Sequence, residues 1–388
     1  DAEGLIKKGR FIAGVGEVSF MYNGINYEDR LVIMRGSIDS GVKFDTKNGG
    51  SVSFSISDPK STLDNVIPSM VVTPSALNNP RYDAIGSTFP LVIGNGYPYV
   101  PIVFYQFSTS HVEAAIAIGH QWTVTNIYRD GTETSFYIDI QQGVLDGSGG
   151  AYDIVKGSLF GVPVTKLVGR NLTVGWPDLE GSSIYAGISI NKNSVKGTGL
   201  SNNFYPDTVI DTIKHIITNF THTGITGINE ESFSNSSKTL SDLKVRCLIN
   251  STDASSRTTA LDYIGSEICS SFPMISVCFT SGGLAVFVID KRKETVRNLV
   301  LGGTYIYDRS SEIEESPKSS LYNSFVYKYS FNALDNTYEG CVARSPHNST
   351  LCLLSRDFIG DRSYSVIQSN IVFDDSTANY IIDWLVSH

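Results

Sequence analysis

A few residue spacings in this chain carry the side chains that chemistry needs, and each stops short of a complete motif. His111-Val-Glu113 repeats the opening of a zinc deaminase motif, in which the His holds the metal and the Glu moves a proton. No Pro-Cys-x-x-Cys follows to complete the ligand set, so the pair reads as side chains of a surface or a strand. His215 and His222 stand seven residues apart near a helix end and would need ligands from elsewhere to hold a metal. The simpler reading places a histidine beside the C-terminal end of the helix dipole. Glu312, Glu314 and Glu315 fall in Ser-Ser-Glu-Ile-Glu-Glu-Ser-Pro. Glycoside hydrolysis needs only two carboxylates brought together, yet this run before Pro317 reads as a solvated loop. In the stretch from Asp45 to Gly50, Lys47 stands where a calcium loop needs an oxygen ligand and no closing Glu follows, which leaves a turn.

Gly14-Val-Gly16, Gly94-Asn-Gly96 and Gly197-Thr-Gly199 each lack the third glycine of a dinucleotide fingerprint, and HExxH, GxSxG and Gly-Lys-Ser/Thr are absent. The expectation is a protein that is not an enzyme, with no catalytic, cofactor-binding or metal-ligating residues. Five cysteines (Cys247, Cys269, Cys278, Cys341, Cys352) form no CxxC pair, and Cys269 and Cys278 read as small buried hydrophobes. Five Asn-x-Ser/Thr sequons, at Asn171, Asn219, Asn235, Asn250 and Asn348, would suit a glycosylated ectodomain. A chain this rich in Asn, Ser and Thr also produces several by chance.

The elements that must position these residues are mainly β. Charged residues make up only 18% of the 388, beside 20 Tyr, 19 Phe and 35 Gly, a balance that favours a β-rich protein with much contact surface over a disordered or coiled-coil chain. A net charge of -9, with Lys291-Arg292-Lys293 as the one short basic run, argues against stable nucleic-acid binding. No apolar run reaches the roughly 20 residues that a membrane-spanning helix needs.

Along the chain, Val52, Phe54 and Ile56 alternate with serines, between a turn at Asn48-Gly49-Gly50 and a stop at Asp58-Pro59. The stretches 122–128 and 136–140 read as a hairpin around Arg129-Asp130-Gly131, and Gly143 to Gly150 as a flexible loop or domain boundary. More strands follow between Val155 and Ile190. Asp207 is placed to cap, or to sit in the first turn of, a helix with the stripe Val209, Ile210, Ile213, Ile216, Ile217 and Phe220. Asn229 to Lys238 reads as a polar surface loop. Leu261, Ile264, Ile268 and Phe272 share one face of a short helix, which leads into a hairpin turning at Ser281-Gly282-Gly283. Phe325, Tyr327, Tyr329 and Phe331 share a strand face, another strand is expected around 363–373, and a last helix from about Thr377 to Val386 buries Ile381, Ile382 and Leu385.

This order of elements resembles the bacteriophage tail hub family, the trimeric baseplate proteins that join a tail tube to a central spike or fibre. The residues that carry the likeness are the helix-hairpin unit Ala260–Asp290, Ile33–Pro59, Phe89-Pro90-Leu91-Val92-Ile93-Gly94, Pro206 to Asn219, Tyr322-Asn323-Ser324-Phe325-Val326-Tyr327 and Thr377-Ala378-Asn379-Tyr380-Ile381-Ile382. Each motif is short, and the specificity lies in their order over most of residues 10–388. The resemblance implies two tube-type β-barrel domains with an inserted helix-plus-hairpin α+β domain: residues 1–155 for the first barrel, 156–205 and 300–388 for the second, and 206–299 for the insertion. It also implies a homotrimer at the virion tail tip, assembled in the host bacterial cytoplasm. Its partners would be a tail tube or distal tail protein and a central spike or tail fibre, with DNA passing transiently through the lumen. No lysozyme insert is present, and a short hub or a fragment of one is expected. A secreted or virion-surface β-rich protein that binds a receptor or glycan is the alternative, and a glycan hydrolase with unrecognised carboxylates the third reading.

Overall fold

The computed structural model describes residues 63–74, 79–108, 111–119, 121–133, 151–170, 182–190, 206–221, 228–280, 283–289 and 321–387, with residues 26 and 28 and the backbone of five strands between 15 and 57. The fold is mainly β, in several antiparallel sheets, with no closed barrel among the described residues. In the N-terminal part, β1 (Val15–Phe20) and β5 (Ile56–Ser57) both pair with β2 (Leu31–Ile38), and β3 (Lys43–Asp45) pairs with β4 (Ser51–Ser53). The alternating run 51–57 therefore divides between two partners. The turns expected at 48–50 and 58–59 lie outside the described residues.

After β6 (Val66–Ile67), the short strand β7 (Leu91–Ile93) is buried on both faces. Leu91 and Ile93 enter one core and Val92 another, as strand alternation requires. One core belongs to a two-sheet body. Its strands are β8 (Gly96–Pro101), β9 (Val103–Phe107), β10 (His111–Ile118), β11 (Trp122–Arg129), β12 (Thr132–Glu133), β13 (Ala151–Leu159), β14 (Val162–Arg170) and β15 (Ile184–Ile190). They form the sheets β13-β14-β10-β9 and β12-β11-β15-β8. The chain passes between the sheets at Ile102, whose N–H donates to Ile184 O at 2.9 Å, and again at Gly119. Phe104, Ile116, Trp122, Ile127, Leu167 and Ile188 fill the space between them, and Trp122 Nε1 donates to Ile118 O at 2.7 Å. Residues 155 and 156, where two of the expected domains meet, both lie inside β13.

Two hairpins of this body turn on positive-φ pairs, Asp130 (49°) with Gly131 (84°) and Phe160 (50°) with Gly161 (80°). These are the conformations of a two-residue turn matched to strand twist. Asp-Gly suits that turn, and the partner of Arg129 is Thr132 rather than a residue of 136–140, which lie outside the described residues. Phe160 does not suit it, because a bulky side chain at positive φ crowds its own backbone, and it is 62% exposed, so no packing compensates. Phe160→Asn is therefore expected to stabilise the protein by about 1 kcal/mol, read as a higher thermal midpoint.

The second core joins residues on both sides of position 300. Its elements are α1 (Val209–Phe220), α2 (Glu230–Thr239), β16 (Cys247–Ile249), β17 (Thr258–Thr259), α3 (Ala260–Tyr263, continuing as a π-helical turn Ile264–Cys269), β18 (Ile275–Thr280), β19 (Gly283–Val288), β20 (Phe325–Asn332), β21 (Thr337–Arg344), α4 (Thr350–Ile359), β22 (Ile367–Gln368) and α5 (Asp375–Val386). Ile213, Ile216, Phe272 and Val286 share this core with Tyr327, Ile381 and Ile382. The segments expected as insertion and as second barrel thus bury their apolar faces together.

Three local expectations are corrected. Thr208, not Asp207, caps α1: its side chain accepts from Asp211 N, while Asp207 pairs with Lys244 at 3.0 Å. Residues 229–238 are not a loop. Asn229 caps α2, Glu230 and Glu231 sit in its first turn and Lys238 in its last, and Phe233 is buried beneath it. The strand expected around 363–373 is only β22, two residues parallel to β20, because the following residues turn toward the cap of α5. The stripe of α1, the burial of Ile264, Ile268 and Phe272, the alternation of β20 and the closing helix stand as expected, except that Phe220, Phe331 and Leu385 are only half-buried.

Candidate functional site

The surface with the most unusual chemistry begins at helix α4. Ser349 caps it by accepting from Cys352 N, and Gly360, at φ 73°, ends it with its N–H on Arg356 O at 2.8 Å. Within it, Leu351, Leu354 and Phe358 recur at three- and four-residue steps and so form one stripe. A helix of a globular domain turns such a stripe to the core. Here Cys352 is the buried residue, and Leu351, Leu354 and Phe358 are 55%, 53% and 82% exposed.

Neighbouring segments extend this surface. The buried Asn323 donates Nδ2 to Gly360 O at 2.7 Å and accepts from Arg362 N at 2.9 Å, which ties the end of α4 to the start of β20. Tyr364 N donates to Ser324 O, and the Tyr364 ring stands edge-on to Tyr322 at 5.0 Å. Of the 13 exposed large hydrophobic residues among those described, eight lie between Leu321 and Val366. Isolated exposed apolar residues are ordinary, but a concentration of this kind marks a contact surface. Asn323→Ala removes both of these hydrogen bonds and leaves space at a buried position, and it is expected to cost about 2 kcal/mol, measured as a lower urea midpoint.

The residues singled out for chemistry are placed separately. His111 and Glu113 are half-buried neighbours on β10, 3.2 Å apart. Lys166 reaches the Glu113 carboxylate at 2.6 Å and the Tyr105 hydroxyl donates to it as well. Burial pulls this carboxyl upward, but the bonds from Lys166 and Tyr105, the Lys166 charge and the His111 contact outweigh it and hold the group below its ordinary value. Burial, aided by the bond to Glu113, raises the Tyr105 phenol. The arrangement is a cross-strand clamp with its acceptors already occupied.

His215 packs in the last turns of α1 with its ring 5.5 Å from that of Phe220, and Asn219 Nδ2 lies 3.1 Å from its Nδ1. Burial lowers its pKa to about 4, so at neutral pH it carries no charge for a helix dipole to favour. His222, Glu312, Glu314, Glu315 and the loop at 46–50 lie outside the described residues. No cluster of His, Cys, Asp or Glu with metal-holding geometry occurs among the described residues. The sequon residues Asn219, Asn235, Asn250 and Asn348 are exposed, and Asn171 is outside the described residues. All five cysteines are free thiols: Cys247 and Cys352 are buried, Cys269 and Cys278 only half-buried, and Cys341 exposed. No described helix is long and apolar enough to cross a membrane.

Helix α4 is not among the elements expected from the residue pattern. Its signals were present: a Ser-Thr start, apolar residues three and four apart, and a closing Gly. Compared with known proteins, the chain matches no family model and no curated protein.

Proposed function

We propose that this protein is a structural subunit of a phage tail hub. Three copies close into a ring that adapts a six-fold tail tube to a three-fold spike or fibre and leaves a channel for DNA. The observation that carries the reading is the apolar surface of α4 and its neighbours, which suits a chain built to be covered by another copy of itself. Arg356, Asp357, Asp361 and Arg362 fall in the same stretch of chain, charges of both signs that suit contact between identical chains. In this reading the two-sheet body of residues 91–190 serves as one tube-type domain, and a second completes the pseudo-six-fold set. The excess of acid over base would let DNA slide through the lumen without adhering. The assembly would form in the bacterial cytoplasm and end at the virion tail tip.

A second reading, a β-rich surface protein that binds a receptor or glycan, is favoured by an open cleft of about 300 Å³ in which Arg246 lies against the rings of Tyr97 and Phe373. Native mass measurement separates the two. The hub is expected at three times the 42.3 kDa chain mass, and a protein that stays a single chain at every concentration overturns it.

A further inference from the structure

We propose that the cleft between the two-sheet body and the second core, centred on Arg246, is a binding site for a singly charged carboxylate attached to an apolar or ring-shaped body. The cleft has a volume of about 300 Å³ and is lined by Asn95, Tyr97, Pro98, Thr125, Ile188 and Phe373 around the arginine. These residues come from β8 and the bend before it, β11 and β15 on one side and from the segments leading into β16 and α5 on the other. The site therefore exists only because the two bodies meet.

Arg246 is a half-buried cation to which the described residues give no acceptor. Its guanidinium carbon lies 4.8 Å from the Phe373 ring centroid and 5.6 Å from that of Tyr97, so the charge rests against two aromatic rings. Among the described residues, no carboxylate stands within ion-pair distance of it and no side-chain hydrogen bond is formed by its N–H groups. The neighbouring acids are already engaged. Glu339 accepts from Asn332 at 2.9 Å, Asp207 from Lys244 at 3.0 Å and Asn95 at 3.3 Å, and Glu267 from Asn370 at 3.3 Å. Buried charges in proteins are normally paired, and guanidinium groups present a planar fork that matches a carboxylate with two parallel hydrogen bonds. An unpaired one in an open cleft thus specifies the complement it lacks.

The surroundings narrow the charge and shape of that complement. One arginine and no lysine is among the described residues that line the cleft, and Lys244, two positions before Arg246 in the chain, is committed to Asp207. Glu339 acts on Arg246 through space, and Glu267 acts on the adjacent Tyr97. A doubly charged phosphate would be repelled by these carboxylates, whereas a single negative charge is satisfied by the arginine alone. Tyr97, Pro98, Ile188 and Phe373 supply apolar walls for the body that carries the carboxylate. Such a group arrives either on a small free acid or on an acidic side chain of another polypeptide.

The test follows the Arg246 side-chain N–H resonances by NMR during titration of the intact protein with benzoate, benzamide and inorganic phosphate, and with an end-capped Gly-Phe-Glu-Gly peptide. Benzoate is expected to bind with a Kd on the order of 1 mM, benzamide not at all, and phosphate more weakly than benzoate. Arg246→Lys, which keeps the charge but loses the fork, is expected to weaken benzoate at least about tenfold. Arg246→Gln is expected to abolish binding, with unchanged thermal unfolding as the check on folding. If the capped peptide binds more tightly than benzoate, the natural source is a protein side chain; if more weakly, a free acid, and either order upholds the site. Absence of a benzoate response, equal binding of benzamide, or tighter binding of phosphate overturns the proposal. None of these readouts depends on how many copies of the chain associate.

Discussion

Leu354→Glu combined with Phe358→Glu is expected to reduce the assembled protein to single chains. Both side chains face solvent in the isolated chain, at 53% and 82% exposure, so their replacement removes little packing within it. In a ring they would be buried against the next copy, where each large apolar side chain contributes about 1.5–3 kcal/mol. Loss of both, with two carboxylates forced toward an apolar contact, corresponds to association at least roughly a thousandfold weaker at each interface. Sedimentation or native mass measurement over a range of concentrations reads the outcome, and an unchanged thermal midpoint of the single chain shows that the fold survives. A double variant that still assembles to the wild-type mass would show that this surface does not join copies, and with it the hub reading would lose its support.

Acidification is expected to unfold the protein partly through one histidine. The sign follows from which state binds the proton more readily. In the unfolded chain His215 titrates near the ordinary 6.5, whereas burial in the folded chain lowers it to about 4. Between those values the unfolded state holds more protons, so the stabilisation is complete above pH 6.5 and is lost as pH falls toward 4. The difference amounts to about 3 kcal/mol at 1.36 kcal/mol per pH unit. Protonation also places a donor at Nδ1, which faces the Asn219 amide nitrogen at 3.1 Å. Urea unfolding at pH 7 and pH 4.5 measures the loss in wild type and in His215→Gln, which cannot titrate. Carboxylates that protonate over the same range are common to both proteins and cancel in the comparison. Wild type is expected to lose about 2–3 kcal/mol more than the variant. Equal losses would mean that the imidazole is not held neutral by burial.

The elements legible in the chain alone are those whose residues repeat a local period. The α1 stripe, the alternation in β20 and the Asp130-Gly131 turn each state their geometry within about a dozen residues, because a helix and a strand differ in where successive side chains point. The π-helical turn at Ile264–Cys269 left the expected helix face intact. Helix α2 was hidden because Phe233 is nearly its only apolar contact, and its cap and end charges resemble those of a polar loop. The α1 cap was misassigned by one residue, because Asp207 and Thr208 both cap well and only the pairing of Asp207 with Lys244 decides between them.

What the amino-acid order determined by itself was a β-rich protein with little charge, several helices, the hairpin of β18 and β19, and motifs that lack residues a catalytic signature needs. Tertiary structure decided which segments share a core, which apolar stripe remains outside, and which charge goes unpaired. Val92 differs from Leu91 and Ile93 only by facing a different body, and Phe358 differs from Ile381 only by facing none. Arg246 is one of many arginines until β8 and the segment before α5 close around it without supplying a carboxylate. The physical reason is that periodicity assigns a residue to a face of its own element. Burial and pairing depend on what long-range packing brings to that face, and such contacts join residues more than a hundred positions apart in the chain.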